Sequence, residues 1–340
     1  MASGRGRVDR LALSRSNMSR LPPSRLAALA RSAEEHGFRH LVFNESYNDV
    51  IAYLVAAASA TDRATLYSTV ANVGFRHPAL MALGAAVVDD VSDGRFVLGL
   101  GTGTQWFTPE RLDTLEARPL GYLREYVAAV RELISGEPVD RSDTRFRLAD
   151  FQLSFRPRRA KLPIYLAAVG PKMTELAGEI ADGVFANMAS PEDVPEVRRR
   201  VARGCERAGR DPSSVRLAVH LRLSLDEDVD RAREAIRATL PAYLNFDGYG
   251  RHLASLGYEA AVSQVRSLVR AGDQPAATRA VPDELVDRVA AYGPAERIWT
   301  RIEQLLAANV DLIVLAPRLG HLPWDEAYEQ VVGVLGAPRR

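Results

Sequence analysis

Of the 44 basic residues in this 340-residue chain, only Lys161 and Lys172 are lysines; the rest are arginine. Lys172 follows Gly170-Pro171 and a short apolar run, Ile164 to Ala168, of the kind that makes a parallel strand buried on both faces. Gly170 frees the backbone for a tight turn, and Pro171 presets the dihedral of a first helical residue. A helix starting there aims its unpaired N–H groups, and the positive end of its dipole, across the mouth of the strand. With the charge of Lys172 added, this is a seat for a phosphate. The plainer alternative is that Gly-Pro starts a helix whose lysine is solvated, and the local pattern leaves both readings open.

Elsewhere the chain is poor in groups that do chemistry unaided. No cluster of histidines and carboxylates has metal-ligand spacing, and there is neither a G-x-S-x-G elbow nor a GKS or GKT phosphate loop. No metal is therefore expected. Cys205, the only cysteine, sits in an Arg-rich helix end and reads as a packing residue rather than a nucleophile. His77 lies at a helix entry between Arg76 and Pro78, where capping is the default role and catalysis the lesser one. His36 and His40 flank Gly37 as surface or core residues; His252 could line a substrate cavity or lie exposed. Trp106 and Phe107 could stack on a cofactor or substrate, or anchor their loop.

The elements that would position these groups alternate regularly. Strands are expected at Val8 to Leu13, Arg39 to Phe43, Ala64 to Val70, Phe96 to Leu100, Ile164 to Ala168, at the end of the stretch Leu162 to Asn187, and at Val215 to Leu221 and Leu312 to Ala316. Helices fall between them, at Pro23 to His36, Asp49 to Ala60, Pro78 to Val91, from Pro171, Pro191 to Ala208, Pro294 to Ala308 and Pro323 to Leu335. Eight strands alternating with helices is the count of a TIM (β/α)8 barrel. Two stretches interrupt it: a hairpin insertion over about 138–157, and a helical insertion over about 226–290 before the last strand. The expectation is one domain, residues 1–340. In such a barrel the chemistry lies at the carboxyl ends of the strands. Those ends read Asn44-Glu45-Ser46-Tyr47, Thr69-Val70-Ala71-Asn72, Gly101-Thr102-Gly103-Thr104, Ala168-Val169-Gly170-Pro171, Asn187-Met188, His220-Leu221 and Pro317-Arg318. They offer amides, hydroxyls, glycines and one lysine, so an organic cofactor is expected to carry the chemistry.

Hydrophobic residues make up 47% and charged residues 26% of the chain, enough for a large core. A net charge of +1 gives no electrostatic case for nucleic acid or an anionic membrane. One cysteine allows no internal disulfide, the first ten residues lack the apolar core of a signal peptide, and no apolar run could span a bilayer. A soluble cytoplasmic protein is expected.

The segment R-H-P-A-L-M-A-L-G-A-A-V-V-D-D-V-S-D-G-R-F-V-L-G-L-G-T-G resembles the third-helix and fourth-strand signature of the luciferase-like monooxygenase superfamily. V-P-D-E-L-V-D-R-V-A-A-Y-G-P-A-E-R-I resembles the end of that superfamily's insertion, so the likeness runs over nearly the whole chain. Within it, Tyr47-Asn48, T-V-A-N-V-G-F-R-H-P and A-A-V-G-P-K-M-T-E-L-A-G-E-I-A-D-G-V resemble deazaflavin-dependent enzymes of the methylenetetrahydromethanopterin reductase type. The resemblance implies a cofactor with a flavin-like ring and a phosphate tail, either the deazaflavin coenzyme F420 or, alternatively, FMN. The phosphate would sit on Gly170, Pro171, Lys172 and Met173, beside Ala168 and Val169. The ring would lie against Thr69, Val70, Asn72, Gly101, Thr102 and Gly103, with a non-proline cis peptide at Thr69-Val70.

Two departures bear on mechanism. The histidine that flavin monooxygenases of the superfamily often carry after the second strand is absent from Asn44-Glu45-Ser46. Deazaflavin enzymes often carry Asp where Asn44 stands, and some an acid where Thr104 stands. Glu45, beside Asn44, is then the candidate acid or base. The expected activity is hydride transfer between the coenzyme and a small organic substrate. The alternatives are an FMN-dependent monooxygenase served by a separate flavin reductase, and a cofactor-binding homologue without catalysis. A homodimer is expected, packed through Ile51 to Ala60 and Ala79 to Val88.

Overall fold

The computed structural model describes residues 8–14, 21–46, 48–103, 118–142, 145–318 and 322–336. Its barrel strands are β1 (Leu11–Ser14), β2 (His40–Phe43), β3 (Thr65–Ser68), β4 (Phe96–Gly101), β5 (Ile164–Ala168), β6 (Gly183–Asn187), β7 (Arg216–Leu225) and β8 (Leu312–Pro317). Each pairs in parallel with the next, and β8 returns to β1 with Ile313 opposite Leu11, which closes the expected TIM barrel. The strands are near-continuous apolar runs because both faces are covered. Toward the axis point Ala12, Val42, Tyr67, Val97, Tyr165, Phe185, Ala218, Leu312 and Val314, a buried cluster of their own. Toward the helices point Leu13, Leu41, Leu66, Leu98, Leu166 and Ile313, which belong to the large outer core. Burying one such leucine contributes about 1.5–3 kcal/mol.

The surrounding helices are α1 (Pro23–Glu35), α2 (Val50–Ala60), α3 (Pro78–Val91), α4 (Pro119–Ile134), α5 (Pro171–Ile180) and α6 (Val194–Arg207). Proline opens α1, α3, α4 and α5, where its missing N–H costs nothing. Asp49 caps α2 by accepting from Ile51 N at 2.9 Å. His77 caps α3, its Nδ1 accepting from Ala79 N at 3.2 Å, which is the structural role its position foretold. Cys205 is buried in α6 with Sγ 3.2 Å from the Gly178 carbonyl, a packing contact between α6 and α5.

The hairpin is formed by Val139–Arg141 and Leu148–Phe151. The helical insertion comprises α7 (Val229–Arg237), α8 (Leu240–Asn245), α9 (Asp247–Leu253), α10 (Glu259–Arg270), α11 (Gln274–Arg279) and α12 (Asp283–Val289). It has its own apolar core, built on Ile236, Leu240, Leu244, Leu253, Val265 and Leu285. α13 (Ala295–Ala307) and α14 (Trp324–Leu335) complete the outer ring. The helix Pro119–Ile134 was not among the expected elements, and the largest shift of a strand boundary is in β7. β7 runs four residues past Leu221, and its extension pairs with a further strand, Ala290–Gly293, that is not among the expected strands. No described helix is long and apolar enough to cross a membrane.

Candidate active site

The carboxyl ends of β2, β3 and β4 form one half of the barrel mouth. After β3 the chain turns through a cis peptide at Thr69-Val70, where the resemblance implied one. It then lays Ala71–Asn72 beside the end of β4, with Asn72 opposite Gly101. The glycine-rich G-L-G-T-G exists to let this happen. A Cβ on Gly99 would stand 1.9 Å from the Ser68 carbonyl oxygen, and one on Gly101 would stand 2.8 Å from Val70 Cγ2. Gly103 has φ +73°, and a Cβ there would meet Asn72 Nδ2 at 2.4 Å.

Asn44 and Glu45 hold this loop from the side of β2. Asn44 Nδ2 donates to the Thr69 carbonyl at 2.8 Å, and Ser14 Oγ donates to Asn44 Oδ1 at 3.1 Å. The Glu45 carboxylate is buried and accepts on both oxygens. Oε1 takes Val50 N at 3.2 Å and Arg76 Nη2 at 2.6 Å; Oε2 takes Asn72 N at 2.7 Å and Arg76 Nη1 at 2.9 Å. Arg76 also pairs with Asp49 at 2.7 Å. Burial alone would lower the Arg76 pKa, but the hydrogen bonds and charges of Glu45 and Asp49 outweigh it and raise it. The group expected to move a proton thus spends its lone pairs on fixing the loop. Two buried polar atoms of the same loop, Thr69 Oγ1 and Asn72 Nδ2, find no hydrogen-bond partner among the described residues.

α5 begins beside this half. Gly170 is its N-cap, with φ −86° and no side-chain cap bond, and Lys172 is exposed with no ion-pair partner among the described residues. The turn does not draw on glycine's special freedom, because the Gly170 backbone is extended and open to any residue. A Cβ there would meet nothing within 4 Å, so the space ahead of the helix is clear. Ala168 is buried, Val169 and Met173 half-buried, and Pro171 exposed. Thr102 and Gly103 are exposed at the end of β4 and Val70 is half-buried. The mouth therefore gathers Asn44, Thr69, Val70, Asn72, Gly101, Thr102 and Gly103 on one side, with the α5 start next along the rim. Tyr47, Thr104, Trp106 and Phe107 lie outside the described residues.

The opposite half is built by β6, β7, the residue after β8 and the insertion. Asn187 Nδ2 donates to the Tyr249 hydroxyl at 2.8 Å, and Arg222 Nη1 donates to Asn187 Oδ1 at 2.9 Å. The Arg222 guanidinium lies 4.1 Å from the centre of the Tyr243 ring. Burial pushes the Tyr249 phenol up to about 12 and the His220 imidazole down to about 3, so both are neutral. Arg222, Tyr243 and Tyr249 escaped the sequence reading. The alternation His220-x-Arg222-x-Ser224 was the available signal, since it continues the inward face of the strand.

The luciferase-like monooxygenase family model matches residues 7–312. A 5,10-methylenetetrahydromethanopterin reductase from Methanolobus tindarius is 31% identical over 303 residues, covering 88% of this chain and 92% of that protein. The coenzyme F420-dependent tetrahydromethanopterin reductase structure from Methanopyrus kandleri superposes with a TM-score of 0.82 at 24% identity, over 96% of this chain and 98% of the other. An F420-dependent secondary alcohol dehydrogenase, solved with an F420-acetone adduct, superposes with a TM-score of 0.76 at 19% identity, over 98% and 99%. These two structures share the fold. With the family model spanning residues 7–312 and a relative 31% identical aligned over 88% of the chain, this protein belongs to the luciferase-like monooxygenase family.

Proposed function

We propose that this chain is an oxidoreductase that transfers a hydride between coenzyme F420 and a small organic substrate. The observation that carries the proposal is the loop 69–72: it lies on a strand cleared of side chains and leaves Thr69 Oγ1 and Asn72 Nδ2 buried without partners. Buried polar groups of that kind are costly unless something bonds them, and a heteroaromatic ring rich in acceptors and donors fits the need. Relatives named for coenzyme F420 support the choice of ring.

Asn44, Thr69, Val70, Asn72, Gly101, Thr102 and Gly103 would hold the ring, and Ala168 to Met173 the tail phosphate. The N–H groups of the first turn of α5 and the Lys172 charge suit a phosphate there. When bound, the coenzyme supplies a carbon that accepts or donates a hydride. The protein's work is orientation and exclusion of water. Asn44 pins the Thr69 carbonyl, while Glu45 and Arg76 together pin Asn72, so the ring face is set from β2. We assign Glu45 to positioning. The aromatic floor of Tyr67, Tyr165 and Phe185, with ring centres 5.3–6.3 Å apart, closes the barrel beneath.

Fluorescence titration with F420 and, separately, with FMN tests the proposal. Micromolar F420 affinity, with FMN weaker by about tenfold or more, is expected. Micromolar FMN binding alone would replace it with a flavin monooxygenase that needs a separate reductase. Binding of neither would point to a homologue without catalysis.

A further inference from the structure

Two arginines face into the barrel on the side away from the loop 69–72. Alternate residues of a barrel strand face the axis. Counting from the interior residues Ala218 and Val314 therefore brings Arg222 of β7 and Arg318 after β8 to the same rim. The ladder continues that far, because Arg318 N donates to the Leu223 carbonyl at 2.7 Å.

Arg222 is 2% exposed. Its described partners are Asn187 Oδ1, Met188 Sδ at 3.3 Å and the face of Tyr243, and its Nε has none. All of them are neutral, and no described carboxylate reaches it. A guanidinium so deeply buried is costly unless a counter-charge arrives. Its neighbours do not supply one. His220 beneath it is held neutral by burial and then by the two arginines. Arg318 adds a second positive charge, and both arginines act on the Tyr243 hydroxyl. Burial would raise the Tyr243 pKa, but the charges of Arg222 and Arg318 override it and bring it to about 8. A phenol pulled toward ionisation reports a positive potential at this point. At neutral pH it is still mostly protonated, so the potential stands.

We propose that Arg222, Arg318 and the Tyr243 hydroxyl bind an anionic group, a carboxylate or a phosphate, carried by the substrate. Paired guanidinium forks suit either oxyanion. This rests on the hydride-transfer reading, in which the anchored end of the substrate sits under the insertion and its reactive end points to the cofactor half.

The test is calorimetric titration of the full chain, loaded with F420, with sodium acetate and separately with inorganic phosphate, at neutral pH and constant ionic strength. Saturable binding of either anion is expected, and the preferred one distinguishes carboxylate from phosphate. Arg222→Met and Arg318→Gln should each weaken it by about tenfold or more while leaving F420 affinity within about twofold. If Arg222→Met fails to melt cooperatively, Arg318→Gln and Tyr243→Phe decide. No saturable binding by the wild type, or equal affinities in the variants, would overturn the proposal. So would anion binding that vanishes when F420 is loaded, since the coenzyme itself would then occupy the arginines. If F420 does not bind at all, the hydride-transfer reading fails separately, and titration of the unloaded chain still reports on the arginines.

Discussion

Glu45, the candidate acid or base of the sequence, is buried with both carboxylate oxygens bonded, and we propose that its part is positioning. Each carboxylate oxygen accepts two hydrogen bonds, from Arg76 and from the backbone of two elements. Removing the charge leaves the half-buried Arg76 with only Asp49 to answer it. Glu45→Gln should therefore cost about 3 kcal/mol in urea unfolding and weaken F420 binding with it. A proton donor would behave otherwise: turnover would fall with stability and F420 affinity intact. Two histidines set the acid limit. Burial, first among the causes, holds His40 at about 4 and His220 at about 3. Both stay neutral in the folded chain while the unfolded chain takes up protons below about 6.5, so their contribution is complete above that pH and is lost progressively as pH falls toward the folded values. At about 1.4 kcal/mol per unit for each group, moving from pH 7 to pH 5 should remove about 4 kcal/mol. Equal urea midpoints at the two pH values would contradict the burial of these rings.

At the scale of elements, the two glycine stretches do different jobs. Gly99→Ala puts a Cβ 1.9 Å from the Ser68 carbonyl and must push β3 and β4 apart, which should cost about 2–3 kcal/mol. Gly170→Ala meets nothing and needs no special dihedral, so its thermal melt should match the wild type. A Gly99→Ala chain that melts like Gly170→Ala would show that loop 69–72 does not sit on β4. All eight barrel strands were legible because a strand covered on both faces is a bare apolar run. The start of α5 was legible because Gly-Pro is a local helix-opening signal. Ala290–Gly293 was not, since A-A-Y-G carries no alternation and pairs only through the extension of β7. That extension was missed for a related reason: Arg222 and Ser224 interrupt the apolar run, although they face the lumen. Tyr243 and Tyr249 reach the mouth from the insertion, and no periodicity within α8 and α9 shows where that insertion seats. The role of Glu45 depends on Arg76 and Asn72, some thirty residues away, and is a fact of packing rather than of spacing.

For the whole molecule, the proposed function divides the barrel mouth into a cofactor half on β2, β3, β4 and α5 and a positively charged half on β7, β8 and the insertion. On the outside, Leu80, Val87 and Val91 form one stripe of α3 and are 59%, 37% and 41% exposed. They are three of the five large apolar side chains exposed among the described residues, and α3 packs against α2. We propose that a second copy of the chain covers this face; sedimentation at micromolar concentration should give a dimer mass, and a clean monomer would contradict it. The placement of the cofactor half is tested most directly by Lys172. Its charge stands exposed at the start of α5, where a phosphate contact would contribute about 1.5–3 kcal/mol. The dissociation constant of F420, measured at low salt for the wild type and Lys172→Ala, should rise about ten- to a hundredfold in the variant, with the melting temperature unchanged. Equal dissociation constants would contradict the account and remove the tail phosphate from α5.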